Sequence, residues 1–167
     1  KETIRNIVRL LKKEGLLREV ISKGSWSCNE EDLPEFNIDS LSYSSKTTSP
    51  STLLFCKGAF KEEYLKSSQS LFYVSSCPYL SSPATAIVVQ DVSKAMAKVG
   101  AYFYSYPQER MCLAAITGTK GKTTTAFFTH AILSSYFGSC GLLSSDKNCS
   151  DGKTFTPSSL TTPESLD

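Results

Sequence analysis

The sequence predicts an α/β protein with a largely parallel sheet, and three observations carry that expectation. Short apolar runs alternate along the chain with stretches of helical spacing, the pattern of strands crossing over through helices. A glycine-spaced turn ending in Gly-Lys-Thr lies between one such run and one such stretch. The composition, 40% hydrophobic and 20% charged over 167 residues, is that of a globular chain able to bury a real core.

The elements follow in order. Residues 2–22 carry Ile4, Ile7, Val8, Leu10, Leu11, Leu16, Leu17, Val20 and Ile21 between charges, which predicts one or two amphipathic helices lying on the core, with Gly15 as break or cap. Residues 23–40 read as loop and short strand. After Leu41–Lys46 and a polar turn at Thr47–Ser51, Thr52–Cys56 reads as a buried strand. Phe60–Ser67 predicts a short helix, and Leu71–Val74 and Ala84–Val89 two further strands. Asp91 is placed to cap a helix to about Tyr104, because Val92, Ala95, Met96, Val99 and Phe103 keep helical spacing. A proline-containing link at 105–110 is the expected domain joint. Met111–Ile116 then reads as a buried strand, and Thr124–Tyr136 as a helix with Phe127, Phe128, Ile132 and Leu133 on its apolar positions.

Between these last two elements stands I-T-G-T-K-G-K-T-T-T at 116–125. Such a turn makes a bed for nucleotide phosphates, because backbone N–H groups of the turn and of the helix start point inward. Gly118 and Gly121 allow close backbone approach. Lys122 is the expected phosphate contact and catalytic cation, and the Thr123 hydroxyl the expected Mg²⁺ ligand. The run departs from the strict pattern G-x-x-x-x-G-K-[ST], which would need glycine where Ile116 stands. The plainer alternative is a Gly/Thr-rich turn with a solvated lysine.

Net charge is only +2, so no long-range field points to nucleic acid or an anionic membrane as a partner. No apolar run approaches the roughly eighteen residues of a membrane span, and no apolar leader opens the chain, so the expected compartment is the cytoplasm. The six cysteines form no C-x-x-C pair, and His130 is the single histidine. Reduced, structural cysteines are therefore expected, with Cys56 and Cys112 packed as small hydrophobes, and His130 as a packing or surface residue.

Several motifs together resemble the Mur ligase family, and most of all its lysine-adding members. They are L-S-Y-S-S-K at 41–46, K-G-A-F-K-E-E-Y-L at 57–65, V-Q-D-V-S-K-A-M-A at 89–97, P-Q-E-R at 107–110, I-T-G-T-K-G-K-T-T at 116–124, D-G-K-T-F at 151–155 and L-T-T-P-E-S at 160–165. The shortened glycine spacing is the form that family uses. The resemblance covers nearly the whole chain. It implies a small UDP-substrate-binding α/β domain at 1–106, then the truncated start of a P-loop ATPase domain at 107–167.

It also implies a monomeric enzyme that adds L-lysine to UDP-MurNAc-L-Ala-D-Glu, using ATP and Mg²⁺ through an acyl-phosphate. By the same resemblance Gly118, Thr119, Lys120, Gly121, Lys122, Thr123 and Thr124 hold ATP, with Thr123 on the metal. Ser45 contacts the UDP part, and Thr161 and Thr162 the muramoyl-peptide. The family's D-S-R triplet is here Ser44-Ser45-Lys46, which loses a carboxylate and a planar guanidinium. The family's later acidic Mg²⁺ ligand, its carbamylated lysine and the domain that selects the amino acid have no counterpart here, so the chain is expected to be a fragment that does not ligate alone. Two alternatives remain open: a related ligase of the Mur or folylpolyglutamate type, and a non-catalytic UDP-sugar-binding module with a vestigial phosphate loop.

Overall fold

The computed structural model describes residues 2–22, 24–79, 81–158 and 163–166. The chain forms two compact units that divide after Arg110, with Leu166 grouping with the first. The first unit contains β1 (Glu2–Thr3), α1 (Ile4–Lys13), β2 (Leu17–Ser22), β3 (Ser25–Ser27), β4 (Asn37–Ile38), β5 (Ser40–Ser42), β6 (Thr52–Phe55), α2 (Glu63–Lys66), β7 (Phe72–Ser75), β8 (Thr85–Val89) and α3 (Val92–Phe103). Its six-stranded sheet runs β3-β2-β8-β7-β6-β5. Strands β5 to β8 are mutually parallel, while β2 joins β8 antiparallel and β3 closes that edge as a hairpin partner. The mostly parallel α/β sheet expected from the alternation is thus present.

Helix α1 begins where Thr3 accepts the Asn6 N–H on its side chain, and its apolar stripe Ile4, Ile7, Val8 and Leu11 is wholly buried. Gly15, in the left-handed region at φ 68°, ends it. The expectation of helix up to residue 22 fails here, because Leu17–Ser22 is a strand. Val20 packs into the core beneath the helices and Ile21 into the core on the opposite face. Adjacent β-branched residues buried on opposite sides require a period of two, which a helix cannot supply.

That alternation sorts the whole sheet. Leu53, Phe55, Phe72, Val74, Ile87 and Val89 face α1 and α3, where they meet Met96 and Val99. Leu54, Cys56, Tyr73, Ala86 and Val88 face the other way, toward Leu65 of α2 and the half-buried Phe60 and Tyr79. Both faces of a parallel sheet need covering. Here the second face is covered by one helical turn and a loop. The Tyr73 hydroxyl accepts the Tyr79 N–H at 2.9 Å, and the Glu62 carboxylate accepts both the N–H and the hydroxyl of Ser81 at 3.0 and 2.6 Å. These two hydrogen bonds from Ser81 hold the Glu62 carboxyl below the usual carboxylate range. At α3 the Asp91 side chain accepts the Lys94 N–H at 3.0 Å, the cap read from the sequence.

Burial, with a smaller push from Cys77, raises the Cys56 thiol to about 12. The thiolate is the reactive form, so Cys56 is expected to resist an aromatic disulfide reagent at pH 8 until the first unit unfolds. The exposed Cys28, Cys77 and Cys112 should react at once. Counting the rapidly released thiolate with and without urea checks this, and a fast-reacting Cys56 would contradict its placement.

The second unit holds α4 (Lys122–Phe137), β9 (Lys147–Asn148) and β10 (Thr156–Pro157), the two strands pairing antiparallel. Two expectations are corrected here. Met111–Ile116 forms no strand, and Cys112 is exposed rather than packed. A strand exists only through a neighbour's ladder, and among the described residues the second unit offers this segment none. On α4, Phe128 and Ile132 are exposed while His130 is buried. The His130 Nε2 lies 2.8 Å from the Cys140 carbonyl oxygen, and its ring meets Phe155 edge-on, with Phe155 stacked on Phe127. His130 is thus a packing residue. Among the described residues no helix is long and apolar enough to cross a membrane, and no group of His, Cys, Asp or Glu could hold a metal ion.

Candidate functional site

The loop before α4 has the local geometry that its composition calls for. Gly121 is the residue preceding the helix and lies at φ 76°, a conformation in which a Cβ is strained. The first helical hydrogen bond runs from the Thr125 N–H to the Gly121 carbonyl at 2.9 Å. The N–H groups of Lys122, Thr123 and Thr124 therefore point out of the helix start with no acceptor one turn earlier. Three such donors at the positive end of a 16-residue helix define an anion-attracting position.

The charges on this loop reinforce that reading. No acidic residue stands in the first turn of α4, whereas Lys120 and Lys122 stand at or just before it. Cations at the positive end of a helix dipole are unfavourable by several tenths of a kcal/mol, roughly, unless an anion sits between them. The Lys122 side chain arches back over the loop, its Nζ donating to the Gly118 carbonyl at 2.6 Å. An ammonium has three donors, so two remain beyond this bond.

The Thr123 hydroxyl lies 3.4 Å from the Ser145 hydroxyl, on the segment between α4 and β9. Gly118 through Lys122 and Thr124 are exposed, and Thr123 is half-buried. The chain thus brings Gly118, Thr119, Lys120, Gly121, Lys122, Thr123 and Thr124 together on one short surface. Ser145 joins them, and no sequence signal marks it, since 22 residues separate it from Thr123. Further along, the Asp151 carboxylate accepts the N–H groups of Lys153 and Thr154 at 2.9 and 2.7 Å. Those bonds lower its carboxyl strongly and fix the D-G-K-T-F turn.

Ser45 belongs to the first unit, in the loop that leaves the carboxyl end of β5 and reaches the start of β6. It is half-buried. Ser44 is held by its N–H donating to the Ser42 hydroxyl at 3.0 Å, and the Ser45 carbonyl accepts from the Thr48 hydroxyl at 3.3 Å. Thr161 and Thr162 lie outside the described residues.

A mostly parallel α/β sheet in one unit, and a glycine-spaced Gly-Lys-Thr loop opening a helix in the other, make this a mixed α/β protein. No family model matches it. The UDP-N-acetylmuramyl-tripeptide synthetase of Lactococcus lactis subsp. cremoris (strain MG1363) is 44% identical over 166 residues, 98% of this chain and 34% of that protein. A protein of the same name from Bifidobacterium longum (strain NCC 2705) is 40% identical over 172 residues, 99% of this chain and 33% of that protein. The UDP-N-acetylmuramoyl-L-alanyl-D-glutamate--L-lysine ligase of Enterococcus faecalis (strain ATCC 700802 / V583) is 45% identical over 163 residues, 94% of this chain and 32% of that protein. The chain spans about a third of the length of the curated relatives it matches. These relatives are Mur ligases, and over nearly its whole length this chain is homologous to a part of them.

Proposed function

We propose that this polypeptide serves ATP-dependent amide ligation in peptidoglycan precursor synthesis, adding L-lysine to UDP-MurNAc-L-Ala-D-Glu as a cytoplasmic monomer. The observation that carries the reading is the Gly118–Thr124 loop, with three outward N–H groups, an anchored lysine and a threonine hydroxyl at one helix start. That donor set fits a triphosphate: directed N–H groups and an ammonium for its oxygens, and a neutral hydroxyl oxygen for a hard cation. Bound ATP supplies the phosphoryl group that turns the substrate carboxylate into an electrophile toward the lysine amine.

The chain's own residues position and neutralise. Gly118 and Gly121 shape the loop, the N–H groups of Lys122, Thr123 and Thr124 hold phosphate oxygens, and the Lys122 ammonium offsets negative charge as it develops. Thr123 is the metal-facing hydroxyl, with Ser145 beside it. Ser45 is assigned to the UDP part of the substrate, and Thr161 and Thr162 to its muramoyl-peptide part. In this reading residues 1–106 are the UDP-substrate domain and residues 107–167 the beginning of the ATP-binding domain.

One observation favours a second reading. The first unit has both faces of its sheet covered and could bind a UDP-sugar with the phosphate loop unused. Calorimetric titration of the chain with Mg·ATP and, separately, with UDP-MurNAc-L-Ala-D-Glu separates the two. Binding of both ligands is the expected result. Binding of the UDP compound without ATP would instead support the module. Lysine-dependent phosphate release by the 167 residues alone is expected to be nil, because most of the relatives' length has no counterpart in them.

A further inference from the structure

We infer that Thr48 is a positioning residue for the Ser45 loop, fixing the backbone from which Ser45 meets a UDP-bearing substrate; this rests on the Ser45 role proposed above. A hydroxyl has one proton and two lone pairs, and Thr48 has a partner for each. Its proton goes to the Ser45 carbonyl at 3.3 Å. One lone pair accepts the Gln69 N–H at 2.9 Å. The Ser68 hydroxyl lies 3.0 Å away, and since the Thr48 proton is already committed, Ser68 must be the donor. Ser68 in turn accepts the Ser70 N–H at 3.2 Å.

The consequence lies in where these partners sit. Ser68 to Ser70 lead directly into β7, an inner strand of the sheet whose residues are all buried. The Ser45 loop crosses from β5, at the sheet's edge, to β6 without any helix of its own. Local turns order its two ends: Ser42 bonds to Ser44, and Ser49 to Thr52. Among the described hydrogen bonds of this loop, those of Thr48 tie its Ser45 turn across to the segment that leads into β7. The bonds of Thr48 to Ser45 and Ser68 are part-buried and so partly shielded from competing water, whereas that from Gln69 is exposed. Removing the hydroxyl leaves a carbonyl, an N–H and a hydroxyl with no shared partner, and the Ser45 turn detaches from the segment that leads into β7.

The test compares Thr48→Val, Thr48→Ser and Ser45→Ala in the full chain, titrated with UDP-MurNAc-L-Ala-D-Glu and with Mg·ATP. Thr48→Val should weaken the UDP compound about ten-fold, the size of a loss of one to two hydrogen bonds' worth of positioning, and leave Mg·ATP unchanged. Thr48→Ser restores the hydroxyl and should bind within about two-fold of wild type. Should the valine variant unfold, Thr48→Cys keeps the volume and weakens all three bonds, and an intermediate loss is expected. Wild-type affinity in Thr48→Val or Thr48→Cys, with Ser45→Ala impaired, overturns the positioning role alone. Equal losses in Thr48→Val and Thr48→Ser overturn it too, since the hydroxyl would not be the cause. Unimpaired binding by Ser45→Ala, or no binding by wild type, overturns the Ser45 role and this inference with it.

Discussion

Replacing Lys122 by alanine is expected to remove measurable Mg·ATP binding, a loss of about a hundred-fold or more. The size follows from the chemistry of the position. A hydrogen bond to a charged group contributes roughly 1.5–3 kcal/mol, and Lys122 should make more than one to the phosphates while balancing their charge. The side chain is exposed, and its described hydrogen bond is to the Gly118 carbonyl of its own loop. Removing it should therefore leave the fold intact. Circular dichroism and the urea midpoint of Lys122→Ala should match wild type, so that lost binding is read as lost phosphate contact. Lys120→Ala should do less, because Lys120 precedes the helix start rather than belonging to its first turn. ATP affinity unchanged in Lys122→Ala would end the assignment of this loop to a nucleotide.

Ile87→Ala is expected to cost the first unit about 2–5 kcal/mol, the range for truncating a buried isoleucine and leaving a cavity. Ile87 is wholly buried in β8, opposite Val74 of β7 on one side and Val20 of β2 on the other. It faces the core under α1 and α3. Rigid neighbours on both flanks limit how far the site can collapse, which argues for the upper part of the range. Small domains are stable by only about 5–15 kcal/mol, so the variant should lose a large share of the total and melt well below wild type. Urea unfolding followed by circular dichroism measures it. A midpoint near that of wild type would mean that β8 is not the centre of this sheet.

Much of this architecture is legible in the residues. Thr52–Cys56, Leu71–Val74 and Ala84–Val89 read as buried strands because they are continuous apolar runs, and a strand covered on both faces needs nothing else. Asp91 reads as a cap because helical spacing begins just after it, and its carboxylate does accept the Lys94 N–H. The same local logic failed at Leu17–Ser22, where apolar spacing is compatible with either period. Pairing with β8 decided it. At Met111–Ile116 it failed in the opposite sense, since an apolar run is strand-like only where a ladder receives it.

The Gly118–Thr124 loop is a local device, and its place at a helix start follows from glycines, lysines and threonines adjacent in the chain. Its companion Ser145 and the Thr48 anchor are not local, and nothing in the spacing of hydroxyl residues distinguishes them from the many other serines and threonines. By itself, then, the sequence determined the class of fold, the buried strands, the helix caps and the loop at 118–124, because each depends on neighbours within a few residues. Tertiary structure alone decided that Val20 and Ile21 part to opposite faces, that Met111–Ile116 stays unpaired, that His130 is buried against Phe155, and which hydroxyls hold the Ser45 loop. Those outcomes depend on which distant backbone supplies the missing hydrogen bonds and covers the apolar surface, and partners of that kind leave no mark in local spacing.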